Sequence, residues 1–132
     1  MTGASRIVLL MFSCSLFSCG RSETKPVELF PEDMCAYCRM GMSDPRFAAE
    51  IISDGSEVFK FDDIGCMDRY RVLTPGLTVA AAFVKDFETS AWIRFEKSIV
   101  IKTGVATPMG SGKVAFADSA RATDFLRRHP RR

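Results

Sequence analysis

Histidine is almost missing from this 132-residue chain, which has one, His129, near its C-terminus. That scarcity removes the imidazoles of a histidine-built zinc or non-haem iron site. It also leaves no base to activate a serine or cysteine nucleophile, so no enzymatic activity is expected. Charge imbalance is missing too. Lys and Arg number 18 against 16 Asp and Glu, a near-balance that argues against a nucleic-acid partner. A phosphate loop is absent, because Thr107 to Lys113 carries Gly110 and Gly112 without the Gly-Lys-Ser/Thr ending. The apolar stretch Ile7 to Phe17 has only eleven residues. A spanning helix needs about 20, so the stretch suits the apolar region of a signal peptide.

What is present begins at that N-terminus. Arg6 precedes the apolar stretch, and Leu16-Phe-Ser-Cys19 with Gly20 following resembles the lipobox of bacterial lipoproteins. Residues 1–18 are expected to be removed as a signal peptide, leaving Cys19 acylated. Removal takes away only Arg6 among charged residues, leaving 17 basic against 16 acidic. Residues 19–33 are polar, carry Pro26 and Pro31, and lack periodicity, as a flexible tether does. An apolar fraction of 47% with eleven Phe predicts a packed core in residues 34–132. The basic tail from Arg127 to Arg132 fits a solvated helix end, where cations complement the dipole.

Sulfur is concentrated instead. Cys35, Cys38, Met40 and Met42 fall within eight residues, and thiolate with thioether is a soft set that selects Cu(I) over harder divalent ions. An export signal places Cys35, Cys38 and Cys66 in an oxidising compartment. Three thiols cannot all pair, so at least one needs another purpose. Four readings of Cys35 and Cys38 stand: a Cu(I) site, a redox dithiol, a zinc knuckle with Cys66 and Asp62 or Asp63, and a plain disulfide. The redox dithiol lacks its usual strand–helix context, since a Pro-rich stretch precedes it and Asp44-Pro45 follows. Cys66-Met67 opens a predicted helix, and the spacing of Ile64, Met67 and Tyr70 places both as core more than as ligands.

Alternation predicts strands at Ala48–Ser53 and Val58–Phe61 around an Asp54-Gly55 turn. Asp62-Asp63 offers an N-cap for a helix to about Arg71, ended by Thr74-Pro75-Gly76. Thr78–Phe87 is a buried strand and Trp92–Phe95 a fourth. The pattern then restarts: Phe116, Asp118 and Phe125 repeat Phe61, Asp63 and Tyr70 at a spacing of 55 residues. The expected fold is α+β, a tandem repeat of two small ββα(β) units at about 34–88 and 92–128. The second unit carries a ten-residue connection, Thr103 to Gly112, which presents Met109 amid Pro, Gly and Ser. Met109 is either a core plug or a ligand.

Taken in order, Cys35-x-x-Cys38-x-Met40, Phe61-Asp-Asp-Ile-Gly-Cys-Met67, Trp92-Ile93 and Thr107-Pro-Met-Gly-Ser-Gly112 with Ala115-Phe-Ala117 resemble the NosL family. These are lipoprotein accessory factors of nitrous oxide reductase. The resemblance implies a periplasmic, outer-membrane-anchored Cu(I) chaperone that supplies a copper-accepting apo-enzyme, nitrous oxide reductase, or its assembly machinery. It implies Cys38, Met40 and Met109 as metal ligands, with Cys35 and then Cys66 as further candidates. A periplasmic thiol–disulfide protein using Cys35 and Cys38 is the alternative. Two features depart from the family pattern. Arg39 stands where Gly is usual, and the chain stops at Arg132, soon after the second helix, so the second unit is expected to lack a final strand.

Overall fold

The computed structural model describes residues 23–131; the expected signal peptide and Cys19 lie outside them. All five residues of β1 (Ala49–Ser53) are buried, because β1 is flanked on both edges. β2 (Val58–Phe61) and β3 (Val79–Lys85) pair with it antiparallel, and β4 (Trp92–Arg94) extends the sheet in the order β2-β1-β3-β4. The β1–β2 hairpin forms where alternation predicts it. Its left-handed residue is Ser56, with φ 64°, and not the glycine beside it. Ser53 holds the turn by accepting the Glu57 N–H at 3.0 Å.

Strand alternation divides the sheet's faces. Ala49, Ile51, Phe61, Ala82 and Val84 point to one side, where Ile64, Cys66 and Met67 of α1 (Ile64–Leu73) complete the main core. Asp63 caps α1, accepting the Gly65 N–H at 2.7 Å, an interaction that satisfies one orphan donor of the first turn. The helix runs two residues past the expected end, and its last residues Val72 and Leu73 are exposed. On the opposite side Ile52, Ala81 and Phe83 form a smaller cluster with Trp92.

Strand, strand and helix then follow in the same order again: β5 (Ile99–Lys102), β6 (Lys113–Phe116) and α2 (Ser119–Arg128). β5 and β6 make a separate antiparallel pair. Asp118 caps α2, accepting the Arg121 N–H at 2.8 Å. Ala122 and Phe125 face Val114 and Phe116 in a second core that Phe47 closes. The aromatic pair Phe61–Tyr70 has centroids 5.3 Å apart, and so does Phe116–Phe125. Among the described residues no strand follows α2, and no helix is long and apolar enough to cross a membrane.

Buried Asp86 joins the halves. Its carboxylate accepts the Ala117 N–H at 2.9 Å and pairs with Arg121 at 3.1 Å. Burial pushes its pKa up, but the Ala117 and Thr89 N–H groups and the Arg121 guanidinium prevail and hold the pKa down at about 2. The stretch expected to be a flexible tether lies against the domain along its described part. Thr24 O accepts from Arg94 at 3.1 Å, the Val27 N–H donates to Glu50 Oε1 at 2.9 Å, and Glu28 O accepts from Lys60 at 2.7 Å. Glu50 is fully buried on β1, and burial raises its pKa.

Candidate metal centre

The Cys35–Cys38 segment is a short closed loop. Met34 and Gly41 form an antiparallel bridge, the Cys35 N–H donates to Met40 O at 2.8 Å, and the Arg39 N–H donates to Cys35 O at 3.0 Å. Closing so small a loop requires one left-handed residue. Arg39 supplies it with φ 63°, the conformation glycine adopts without cost. Arg39 holds this conformation at a strain of roughly 1 kcal/mol. The Ala36 N–H, bonded to Lys60 O at 2.8 Å, fastens the loop to the end of β2.

This fastening sets the loop over the start of α1. The sulfurs of Cys35, Cys38 and Cys66 and one Asp62 oxygen all lie within 4.8 Å of one another. All three cysteines are free thiols, not the disulfide that the sequence left open. Cys35 and Cys66 are buried, Cys38 is half-buried, and Cys38 donates its S–H to Asp62 Oδ1 at 3.6 Å. Burial raises the Cys35 pKa, although the N–H groups of Cys38, Asp62 and Tyr37 offset part of the rise. Burial pushes the Cys66 thiol up further, helped by the neighbouring Cys35 and Asp62. Burial thus favours the protonated form of Cys35 and Cys66, and a bound cation would displace those protons, since thiolate is the ligand form.

The sequence assigned these residues unevenly. Cys35 and Cys38 meet as expected. Cys66, placed with the core by its spacing, is both core and cluster, touching the metal-competent group with 1% exposure. Asp62, read as a cap and, in the zinc-knuckle reading, as an optional fourth ligand, faces Cys38 and completes that reading's set with Cys35 and Cys66, while the cap is its neighbour Asp63. Asp62 lies ahead of α1, beyond its cap Asp63, so no helical spacing in the sequence links it to Cys66. Met109 packs against the core cluster that contains Cys35 and Cys66. Met67 is fully buried, while Met40 is 56% exposed. Met42 lines a shallow apolar cleft with Leu29, Phe30, Pro31 and Pro45, apart from the thiols.

The loop carrying Met109 is itself well fixed. The Gly110 N–H closes a turn onto Thr107 O at 3.0 Å, and Thr103 donates both its N–H and its hydroxyl to Gly112 O, at 2.7 and 3.1 Å. Gly112 has φ 66°, and a side chain there would meet Thr103 O at 2.6 Å. Three soft sulfurs with one carboxylate oxygen, and a thioether packed nearby, form a donor set suited to a soft cation.

The family described as NosL matches residues 26–130. The chain belongs to the NosL family. Among solved structures, this NosL-family chain is similar to the crystal structure of the copper chaperone NosL from Shewanella denitrificans. The TM-score is 0.70 at 15% identity, covering 82% of this chain and 90% of that one. Likeness at that identity shows a shared α+β fold. No curated protein matches the NosL-family chain in sequence.

Proposed function

We propose that this NosL-family chain is a non-enzymatic carrier that binds one Cu(I) at the Cys35–Cys38 loop and passes it to a copper-accepting enzyme. The observation that carries the reading is the gathering of three sulfurs and Asp62 within 4.8 Å. Family membership and the fold of a copper chaperone support it. Cys38, half-buried beside two buried thiols, is the natural point of entry and exit. It acts with the thioethers of Met40 and Met109, while Cys35 and Cys66 supply further thiolate. Thioethers add coordination without charge, so an acceptor's thiolate or imidazole can displace them stepwise. The acceptor proposed from the family is nitrous oxide reductase or its assembly machinery. Lipid on Cys19 would hold the chain at the outer membrane, facing the periplasm.

Titration with a Cu(I)-specific competing chelator under reducing conditions tests the carrier. One Cu(I) per chain, held far more tightly than Zn(II), is expected. Stronger zinc binding, or no copper binding, overturns it. The competing thiol–disulfide reading needs an accessible thiolate, and burial of Cys35 and Cys66 with raised thiol pKa works against that.

A further inference from the structure

We propose that Asp63, together with Gly65, positions Met109 for the cargo ion by docking the 103–112 loop onto the first turn of α1; this rests on the copper reading above. Asp63 is fully buried and uses both oxygens. Oδ1 accepts the Gly65 N–H at 2.7 Å, which is the helix cap. Oδ2 accepts the Thr107 hydroxyl at 2.6 Å and the Met109 N–H at 3.0 Å, across more than forty residues of sequence. A cap alone needs only the first of these. The second oxygen fixes the backbone of the residue whose sulfur is at issue.

Gly65 supplies an independent second observation. A Cβ on it would stand 2.6 Å from Ser111 Cβ and 3.3 Å from Ser111 Oγ. The loop therefore reaches its seat only because position 65 has no side chain, although glycine is a poor helix residue. The neighbouring Asp62 takes the S–H of Cys38 at 3.6 Å. Two consecutive carboxylates thus face the thiol cluster and the methionine loop, so a displacement of one is transmitted to the other through a single peptide unit.

Asp63→Asn should lower Cu(I) affinity about tenfold or more, in the range of losses from groups that orient ligands. The deciding measurement repeats this substitution in a Met109→Leu background, which removes the sulfur at nearly constant volume. If Asp63 acts through Met109, the further loss there is under about twofold. Equal losses in both backgrounds overturn the proposal. Gly65→Ala leaves every thiol and the Asp63 carboxylate in the chain, although its Cβ would also stand 3.1 Å from the capping Asp63 Oδ1; it stands in should Asp63→Asn fail to fold. It should raise amide exchange across 107–112 in the copper-free protein and weaken Cu(I) with the same dependence on Met109. Unchanged exchange overturns the docking claim. A wild-type chain that binds no Cu(I) overturns the carrier reading and the positioning of cargo with it, while exchange still reads the docking separately.

Discussion

Asp63 and Asp118 stand at matching points in two strand–strand–helix units, each directly before a helix and each accepting a first-turn N–H. Asp118 is exposed and stops there, whereas Asp63 is buried and continues to Thr107 and Met109. The hairpins differ in the same sense. The first turns over a few residues and sits inside a four-stranded sheet; the second opens into the 103–112 loop and stands as a pair. The first unit thus supplies thiols on a stiff support, and the second supplies a loop that comes to them. A shared local device, an aspartate before a helix, can be purely structural or can link two parts of a site, and burial of its second oxygen distinguishes the cases.

The largest test of this contrast lies in the two aromatic pairs. Phe61→Ala and Phe116→Ala should each cost ~3–5 kcal/mol in denaturant unfolding, as buried Phe truncations do. Only Phe61→Ala should also weaken Cu(I) binding, because Phe61 shares its cluster with Cys35 and Cys66. An equal loss of affinity from Phe116→Ala would erase the division of labour. Cys38→Ser comes next. Removing the accessible anionic ligand should reduce Cu(I) affinity on the order of 100-fold, at or beyond the top of the range for supporting groups, while the unfolding midpoint stays nearly constant.

Acid probes the junction between the units. The Asp86 pKa is depressed to about 2, so its contribution is complete above the unfolded carboxyl value of about 4 and is lost as pH falls below that. Acid unfolding followed by circular dichroism should steepen between these values. Asp86→Asn should lower stability at neutral pH and flatten that limb; an unchanged acid limb would remove Asp86 from the account. The smallest effect belongs to Asp118→Ala. It should cost ~1 kcal/mol, the usual value of an exposed cap, with copper affinity unchanged in the chelator titration.

Which parts of this were legible in the sequence depends on how far each interaction reaches. The hairpin at Asp54-Gly55, the helix begun by Asp63 and the helix begun by Asp118 follow from alternation and capping, which act within a few residues. The ten-residue connection and its Met109 were legible as an anomaly of length. The contact of Asp62 with Cys38 was legible only as one option of the zinc-knuckle reading, because it joins residues 24 apart through the folding of the Cys loop onto β2. Cys66 was read only in part, as core, for a physical reason. A buried thiol in a helix's apolar stripe has the same spacing whether it only fills space or also faces other sulfurs. Residues 24–33 look like a linker by composition, and their attachment depends on a buried glutamate in a strand that reads as plain core.

That attachment limits where the domain can go. With lipid on Cys19 as proposed, five peptide units separate the anchor from Thr24, whose carbonyl is already bonded to Arg94. A fully extended chain covers at most about 18 Å over that interval. Such a short mooring lets the protein pivot but not range outward from the bilayer. An acceptor that itself visits the membrane then meets the carrier at a high effective concentration, whereas one free in the compartment must come to the surface to collect its metal. Freeing the 24–33 segment, by substituting Glu50 and Arg94, would lengthen the leash without altering a single metal-binding side chain.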